Sequence, residues 1–252
     1  MLHFNHLHSR SGLVHAVTTR WFGTIDDFNL ADHVGPNASA AVGHRQQLCR
    51  NLGLDFSRLT VSQQVHKTNV APVTDQNAGR GHDGWSTGIP DTDAMVTNVT
   101  CTPMMVLSAD CPLVLLFDPA ARALAVIHAS WRCTFGGIIP KTIATLTERY
   151  GSRPADLMAG IGPGAGPCCY RVDEPFETTM AVRPELLEHI VRRQNQRYFD
   201  LWAAVRSELT RAGVPAEQIE SMDQCTICDE RFFSFRRQAD QAGRFGLIAS
   251  LL

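Results

Sequence analysis

Three short segments place metal-ligating side chains at the ends of apolar runs. They carry His66, Cys111 and His128, in the contexts Q-V-H-K, A-D-C-P and H-A-S-W-R. Strand ends hold side chains rigidly while leaving them open to a cleft. Two imidazoles and one thiolate suit zinc, and three protein ligands leave a fourth position open, as in catalytic zinc sites. The spacings of 45 and 17 residues match no local zinc motif, so hydrogen-bonded core histidines and an inert buried thiol are the alternative interpretation.

The other cysteines give weaker signals. Cys225 and Cys228 form a C-x-x-C, and Cys168 and Cys169 are adjacent. A zinc ribbon needs a second C-x-x-C, and adjacent residues of an extended chain point to opposite faces. The eight cysteines are irregularly spaced, so the sequence favours free thiols in a reducing cytosol.

Several familiar catalytic motifs are absent. The chain has no H-E-x-x-H, no G-x-S-x-G and no deaminase H-x-E with P-C-x-x-C. Residues 160–165 formally fit G-x-G-x-x-G/A, but no amphipathic helix follows, so a tight turn is favoured over a nucleotide-binding loop.

Cationic side chains occur near the same segments. Each of them alone is best interpreted as surface charge, but together they predict an anion site such as one for phosphate; they are Arg20, Lys67, Arg132, Arg236 and Arg237.

Composition and charge exclude several classes of protein. The 252 residues carry 23 basic and 25 acidic side chains, a formal net charge of −2, and no long basic run, which argues against a nucleic-acid binder. No apolar stretch reaches the roughly 18 residues of a membrane span. The first ten residues lack the apolar core of a secretory signal. We therefore expect a cytoplasmic protein without nucleic-acid or membrane partners.

The predicted elements alternate between short apolar strands and amphipathic helices. Strands are predicted at residues 14–20, 59–65, 94–98, 104–108, 113–117, 124–128 and 157–161, helices at 39–52, 140–150, 184–193 and 200–212, and a loop at 77–90. No linker divides the chain. The pattern predicts one α+β domain over residues 1–252, with mixed β-sheets flanked by helices.

Taken in order, the motifs resemble the laccase-domain family, also called YfiH-type or multicopper-polyphenol-oxidase-like proteins. The resemblance covers nearly the whole chain and is carried by Thr19-Arg20, Asn29-Leu30, His33-Val34-Gly35, Gln64-Val65-His66, Asp91-Thr92-Asp93-Ala94, Ala109-Asp110-Cys111-Pro112, His128-Ala129-Ser130-Trp131-Arg132, Gly162-Pro163, Cys168-Cys169-Tyr170 and Phe232-Phe233-Ser234-Phe235-Arg236-Arg237. It implies a YfiH-like α+β fold and one zinc held by the same histidines and cysteine.

The resemblance also implies an activity. Members are associated with purine nucleoside phosphorylase activity, which cleaves the N-glycosidic bond of adenosine, inosine or methylthioadenosine with phosphate, and some also deaminate adenosine. A purine nucleoside and phosphate are then the expected partners of a monomer or small homo-oligomer. In this setting we predict that Asp93 orients a ligand histidine and that Arg20, Lys67 and Arg132 bind substrate. Asp110 adjoins Cys111, would point the other way in a strand, and is predicted to be structural.

Two departures concern the substrate pocket. The family usually reads H-A-G-W-R-G, whereas Ser130 and Cys133 replace those glycines here. Replacement of a glycine matters where φ is positive or a ligand lies close. The family also usually has C-Y-E-V, whereas Arg171 takes the glutamate position here, so no role for a glutamate carries over.

Two other enzyme classes stay open. A copper-dependent polyphenol oxidase is one, because a Cys-His₂ set also accepts copper. However, H-x-H occurs here only at His6 and His8, and multicopper chemistry needs several such pairs. The other is a metal-free hydrolase in which His128 activates Cys111.

Overall fold

The computed structural model describes residues 1–252, which form thirteen strands and eight helices. The strands are β1 (Leu13–Val17), β2 (Thr60–Val61), β3 (Val70–Pro72), β4 (Ala94–Thr97), β5 (Met104–Ser108), β6 (Leu113–Asp118), β7 (Ala123–His128), β8 (Met158–Ile161), β9 (Arg171–Val172), β10 (Ile190–Arg193), β11 (Gln196–Phe199), β12 (Ile219–Ser221) and β13 (Phe245–Leu251). The helices are α1 (Asn5–His8), α2 (Ala41–Leu52), α3 (Trp131–Phe135), α4 (Ile138–Tyr150), α5 (Glu174–Met180), α6 (Pro184–Leu187), α7 (Leu201–Arg211) and α8 (Phe235–Gln238). No helix is both long and apolar enough to cross a membrane.

Two mixed sheets form the centre of the molecule. The four-stranded sheet has the order β1-β13-β5-β2, and the six-stranded sheet has the order β12-β8-β6-β7-β4-β3. Parallel pairs occur in both sheets, at β2 with β5, at β3 with β4 and at β12 with β8. A third, small sheet has the order β10-β11-β9. The predicted α+β architecture with mixed sheets and flanking helices is confirmed.

The two large sheets pack face to face, and helices cover their outer faces. In β7, Leu124 and Val126 join the core between the sheets, while Ala125 and Ile127 join the core under α4 and α7. The same alternation occurs in β5, where Val106 joins the core between the sheets and Leu107 joins the core under α2. Strands buried on both faces are apolar at nearly every position, which explains the near-continuous apolar runs in the middle of the sequence.

The helix predicted over residues 184–193 is wrong beyond its first turn. Its apolar residues fit a helical period, but α6 ends at Leu187, and residues 190–199 form a hairpin. Gln194 and Asn195 have φ of 45° and 61°, the left-handed conformation that a tight hairpin turn requires. The sequence prediction also missed α5, which Asp173 caps by accepting the backbone N–H of Phe176.

Candidate active site

The candidate ligands converge at one end of the central strands β6 and β7 of the six-stranded sheet. His128 is the last residue of β7 and pairs in register with Leu113, the first residue of β6, so Cys111 lies close by. His66 lies between β2 and β3. One ligand atom from each of His66, Cys111 and His128 lies within 4.8 Å of the others. The structure therefore brings together the trio that the sequence predicts.

Asp93 lies directly behind two of these residues. Its Oδ1 accepts hydrogen bonds from Nδ1 of His128 at 2.8 Å and from the backbone N–H of His66 at 3.0 Å. Its Oδ2 accepts the backbone N–H groups of Val65 and Lys67. Burial opposes ionisation of Asp93, but these hydrogen bonds lower its pKa. A carboxylate only accepts, so Nδ1 of His128 carries the proton and Nε2 offers its lone pair.

Gln64 fixes the segment that leads to His66. Its side-chain amide donates to the carbonyl of Leu107 at 2.7 Å and accepts the backbone N–H of Leu107 at 2.7 Å. The side chain thus continues the hydrogen-bonding pattern of β2 along the edge of β5. His66 then has φ of 60°, an uncommon backbone conformation held in place by Asp93 and Gln64.

Asp110 fixes the turn that carries Cys111. Its φ is 91°. Its carboxylate accepts a hydrogen bond from Oγ1 of Thr226 at 2.7 Å and one from the backbone N–H of Arg236 at 2.7 Å. Its carbonyl accepts the backbone N–H of Ala165. This network matches the structural role predicted for Asp110 and ties the Cys111 turn to the C-terminal third of the chain.

The electrostatics favour uncharged ligand side chains in the absence of a cation. Burial, followed by the neighbouring His128, lowers the pKa of His66 to about 4. Burial, followed by the neighbouring Cys133, raises the pKa of the Cys111 thiol. A divalent cation would reverse the preference of a thiol for its protonated form.

The donor set fits a resident metal ion. Two imidazoles and one thiol with mutual distances below 4.8 Å match the nitrogen and sulfur ligands of tetrahedral zinc. The carboxylate of Asp93 behind His128 is the partner that usually orients a metal-ligating histidine.

The trio lies in a cavity of about 400 Å³. Its wall combines aromatic rings with cationic side chains and a few polar groups. The aromatic members are Trp85, Trp131, Tyr170 and Phe235, and the arginines are Arg132, Arg236 and Arg244. A cavity of this size with flat apolar walls and convergent cations suits an aromatic ligand, an anion such as phosphate, or both together.

The three arginines differ in how firmly they are held. The Arg244 guanidinium donates through Nη1 to the carbonyls of Ala242 and Gly243, and burial lowers its pKa although Cys111 and Asp110 oppose this. The Arg236 guanidinium lies 4.9 Å from the Tyr170 ring centre. Arg132 is exposed, with its guanidinium 4.2 Å from the Trp131 ring centre.

Arg132 is the predicted substrate residue that lines the cavity. Arg20 and Lys67 are not among the lining residues. The Arg20 guanidinium lies 5.5 Å from the Phe233 ring centre. The backbone N–H of Arg20 donates to the carbonyl of Arg231. Lys67 is exposed and contributes its backbone N–H to Asp93.

Sequence reasoning missed Arg244 and the aromatic wall. The position of Arg244 directly before the apolar run of β13 was the available signal, because it resembles the strand-end placement of the ligand residues. Phe235, Trp85 and Tyr170 come from loops and short helices far apart in sequence, and no periodicity connects them.

Neither replaced glycine position needs a left-handed backbone. Ser130 has φ of −61° and caps α3 by accepting the backbone N–H of Cys133 at 3.2 Å. Its hydroxyl also donates to the Cys133 thiol at 2.9 Å. Ser130 lines the cavity, whereas Cys133 is buried within α3 and Arg171 is exposed on β9. Of the three departures from the family pattern, only Ser130 alters the lining of the cavity, and it does so without backbone strain.

Comparison with known proteins identifies the family. The family model described as multi-copper polyphenol oxidoreductase laccase matches residues 14–251, and the chain belongs to this family. The crystal structure of YlmD from Geobacillus stearothermophilus superposes with a TM-score of 0.88 at 30% identity, covering 95% of this chain and 92% of the other. These matches confirm the family resemblance and the YfiH-like fold predicted from the ordered motifs.

Two curated relatives bear names that describe activities. The purine nucleoside phosphorylase YlmD of Geobacillus stearothermophilus is 32% identical over 244 residues, which cover 93% of this chain and 88% of the relative. The adenosine deaminase RL5 of an unknown prokaryotic organism is 32% identical over 220 residues, covering 86% of this chain and 84% of the relative.

Proposed function

We propose that the protein is a zinc-dependent purine nucleoside phosphorylase. Its substrates would be adenosine, inosine or methylthioadenosine together with phosphate, and the same site would also deaminate adenosine. The observation that carries the proposal is the convergence of His66, Cys111 and His128 within 4.8 Å, in a cavity lined by aromatic rings and arginines. The names of the two relatives support both activities.

The aromatic wall supports the choice of a purine. Trp131, Tyr170 and Phe235 offer flat apolar surfaces on which a base can stack. The cavity volume of about 400 Å³ is in the range of small-molecule sites.

Arg244 is the residue that we propose for phosphate. It is held by the carbonyls of residues 242 and 243, and its planar fork matches phosphate oxygens while staying charged. Arg132, predicted from the sequence, is the second candidate because it also lines the cavity. Arg20 and Lys67 have less support, since neither side chain lines it.

In phosphorolysis, a phosphate oxygen bonds to C1′ of the sugar while the bond from C1′ to the purine nitrogen breaks. The electron pair of the broken bond stays on the purine, which then takes up a proton. The protein must hold phosphate beside C1′ and exclude water, which Arg244 and the aromatic wall would do. The sugar develops positive charge, which the adjacent phosphate dianion stabilises.

His66, Cys111 and His128 would hold the zinc ion, and Asp93 would keep Nε2 of His128 directed towards it. When bound, zinc supplies a Lewis acid and can activate a water molecule for attack on the adenine ring. Of the chain's own groups, His66 stays neutral at physiological pH because its pKa is lowered, so it is ready to act as a ligand.

The central test is purified protein with adenosine, with and without phosphate, and with adenine, inosine and hypoxanthine resolved. Adenine that forms only with phosphate supports phosphorolysis, and inosine supports deamination. Metal analysis of the same sample separates zinc from copper. Copper with phenol oxidation would favour the polyphenol oxidase alternative, and metal-free turnover would favour a hydrolase using Cys111 and His128.

The ligand assignment has its own variant. Cys111→Ser should lower metal content and purine release together, because the thiolate is lost from a three-residue ligand set. Cys101→Ser is the matched control, since Cys101 is an exposed free thiol away from the cavity. Full zinc content in Cys111→Ser would remove Cys111 from the ligand set.

All eight cysteines are free thiols, which suits a reducing compartment. We propose a cytoplasmic location on this basis. A fractionation experiment that finds the protein exported would contradict it.

A further inference from the structure

A second group of thiols lies outside the candidate active site. Two loops that are far apart in sequence bring four cysteine sulfurs within 4.8 Å of one another. We call this group the four-cysteine cluster; its members are Cys168, Cys169, Cys225 and Cys228. We propose that the four-cysteine cluster binds one zinc ion at a structural site.

The spacing of the sulfurs fits a single tetrahedral ion. The Sγ atoms of Cys168 and Cys228 are 3.8 Å apart. Zinc–sulfur bonds of about 2.3 Å place tetrahedral thiolates roughly 3.8 Å from one another. A disulfide requires about 2.05 Å, so these two sulfurs are not bonded. The compact arrangement leaves no room for several iron atoms among the four sulfurs, which favours a mononuclear site.

A turn allows both adjacent cysteines to reach the same point. Residues 167–169 form a turn in which the backbone N–H groups of Cys169 and Tyr170 donate to the carbonyl of Gly166. The rule that adjacent side chains point to opposite faces holds for an extended chain and does not apply here. Cys168 and Cys169 therefore supply the second ligand pair that the sequence prediction found missing.

The two loops are joined by backbone hydrogen bonds. Gly164 and Cys225 form a parallel bridge, in which Thr226 donates to the carbonyl of Gly164 at 3.0 Å and Gly164 donates to the carbonyl of Gln224 at 3.2 Å. The cluster is therefore built on paired backbone, which holds its ligands in place before an ion binds.

A backbone amide contacts the sulfur of Cys225. The N–H of Gly166 donates to Cys225 Sγ at 3.3 Å. A side chain at Gly166 would collide with the Trp202 ring, at 2.4 Å from the new Cβ, so glycine allows this close approach. Amide-to-sulfur hydrogen bonds are those that a metal-bound thiolate accepts.

Nearby positive charge would offset the anionic site. Four thiolates and one zinc ion carry a net charge of −2. The Arg237 guanidinium donates through Nη1 to the carbonyls of Thr226 and Ile227, inside the Cys225–Cys228 loop. This places a permanent cation beside the proposed ion.

The site would be structural because four protein thiolates leave no open position. Its role follows from its connection to the cavity wall. Thr226 donates to the Asp110 carboxylate, and Ala165 donates to the Asp110 carbonyl. An ion that joins the two loops therefore rigidifies the turn that presents Cys111.

The test is the zinc content of the full chain purified under reducing conditions. Cys168→Ser/Cys228→Ser should bind one zinc fewer per chain than the wild type, whereas the control Cys101→Ser should match the wild type. Cys111→Ser should keep the zinc of the four-cysteine cluster, so failure at one site is distinguishable from failure at the other. Wild-type zinc content in the double variant would overturn the proposal.

Cobalt provides a readout that does not depend on activity. Cobalt bound by four thiolates gives strong sulfur-to-metal charge-transfer absorption in the near ultraviolet. Cys111→Ser loaded with cobalt should keep the strong absorption of four thiolates. The double variant should keep only the weaker absorption of the single Cys111 thiolate. An equal spectrum in both variants contradicts the assignment.

A second measurement covers the case in which the double variant does not fold. Wild-type protein is alkylated with and without added zinc, and each modified cysteine is located by mass spectrometry. Zinc should protect Cys168 and Cys228, both exposed, while the exposed Cys101 reacts in both samples. Equal alkylation of Cys168 and Cys228 in both samples would overturn the proposal. So would a wild-type mass lower by two hydrogen atoms, which would indicate a Cys168–Cys228 disulfide.

Discussion

Nδ1 of His128 and Oδ1 of Asp93 are joined by a 2.8 Å hydrogen bond, with both side chains buried. The same carboxylate accepts the backbone N–H groups of residues 65–67. One side chain therefore sets the orientation of one candidate ligand and the backbone position of another.

Asp93→Asn should weaken zinc binding by about 10–100-fold, the usual effect of losing a group that orients a ligand histidine. An amide has only one acceptor oxygen, whereas both oxygens of the Asp93 carboxylate accept hydrogen bonds. The NH₂ group of asparagine would therefore face N–H donors that the carboxylate accepts in the wild type. Competition with a chromogenic chelator measures the affinity. Asp91→Asn is the control, because Asp91 is exposed. Unchanged zinc affinity in Asp93→Asn would refute the orienting role.

Arg244→Gln should raise the KM for phosphate by about tenfold or more, since hydrogen bonds to charged groups contribute about 1.5–3 kcal/mol. Deamination of adenosine, which needs no phosphate, should change much less. Arg20→Ala tests the earlier sequence prediction in the same assay. If Arg20→Ala causes the selective loss and Arg244→Gln does not, phosphate binds at Arg20 instead.

Ser130→Gly should cost only a few tenths of a kcal/mol, whereas Ser130→Ala should cost about 1 kcal/mol, because Ser130 caps α3. The measurement is urea unfolding at pH 7. Zinc content should be unchanged in both variants, since the hydroxyl bonds to Cys133 and its backbone N–H. Loss of zinc in Ser130→Gly would mean that the hydroxyl supports the metal site.

The protein should lose stability as the pH falls from 6.5 towards 4, partly because of His15. Its Nε2 accepts the backbone N–H of Phe4 at 3.0 Å. Burial, followed by the neighbouring His3 and His8, lowers the pKa of His15 from 6.5 to about 4, and Glu220 opposes this. The unfolded chain then binds more protons in this range, which favours unfolding by about 2 kcal/mol at pH 5.

His15→Gln keeps an acceptor but does not titrate. Urea unfolding at pH 7 and pH 5 should therefore show a smaller loss of stability in this variant than in the wild type. Equal losses in the two proteins would assign the pH dependence to other groups.

The strands in the middle of the chain could be predicted because burial on both faces makes them almost continuously apolar. The prediction over residues 59–65 had the right place but the wrong length, since β2 ends at Val61 and the Gln64 side chain substitutes for further backbone pairing. The hairpin at residues 190–199 was missed because two left-handed residues that are not glycine form its turn.

The convergence of the candidate trio could be predicted in part from strand ends. His128 ends β7 and Cys111 lies two residues before β6, but His66 lies five residues beyond the end of β2. Arg20 also follows a strand, but the sequence does not indicate whether its side chain points into the cavity or away from it. Arg244 depends on the pairing of β13 with β1 and β5, a long-range contact that local patterns do not encode. The single domain over residues 1–252 and the monomeric or small homo-oligomeric state stay predictions.

The position of β13 has a consequence for how the protein is made. This strand lies between β1 and β5, so the four-stranded sheet cannot form completely until residues 245–251 have been synthesised. Contacts across such a sequence separation slow folding and leave strand edges exposed meanwhile. During synthesis the nascent chain presents the unpaired edges of β1 and β5 until residues 245–251 pair with both strands.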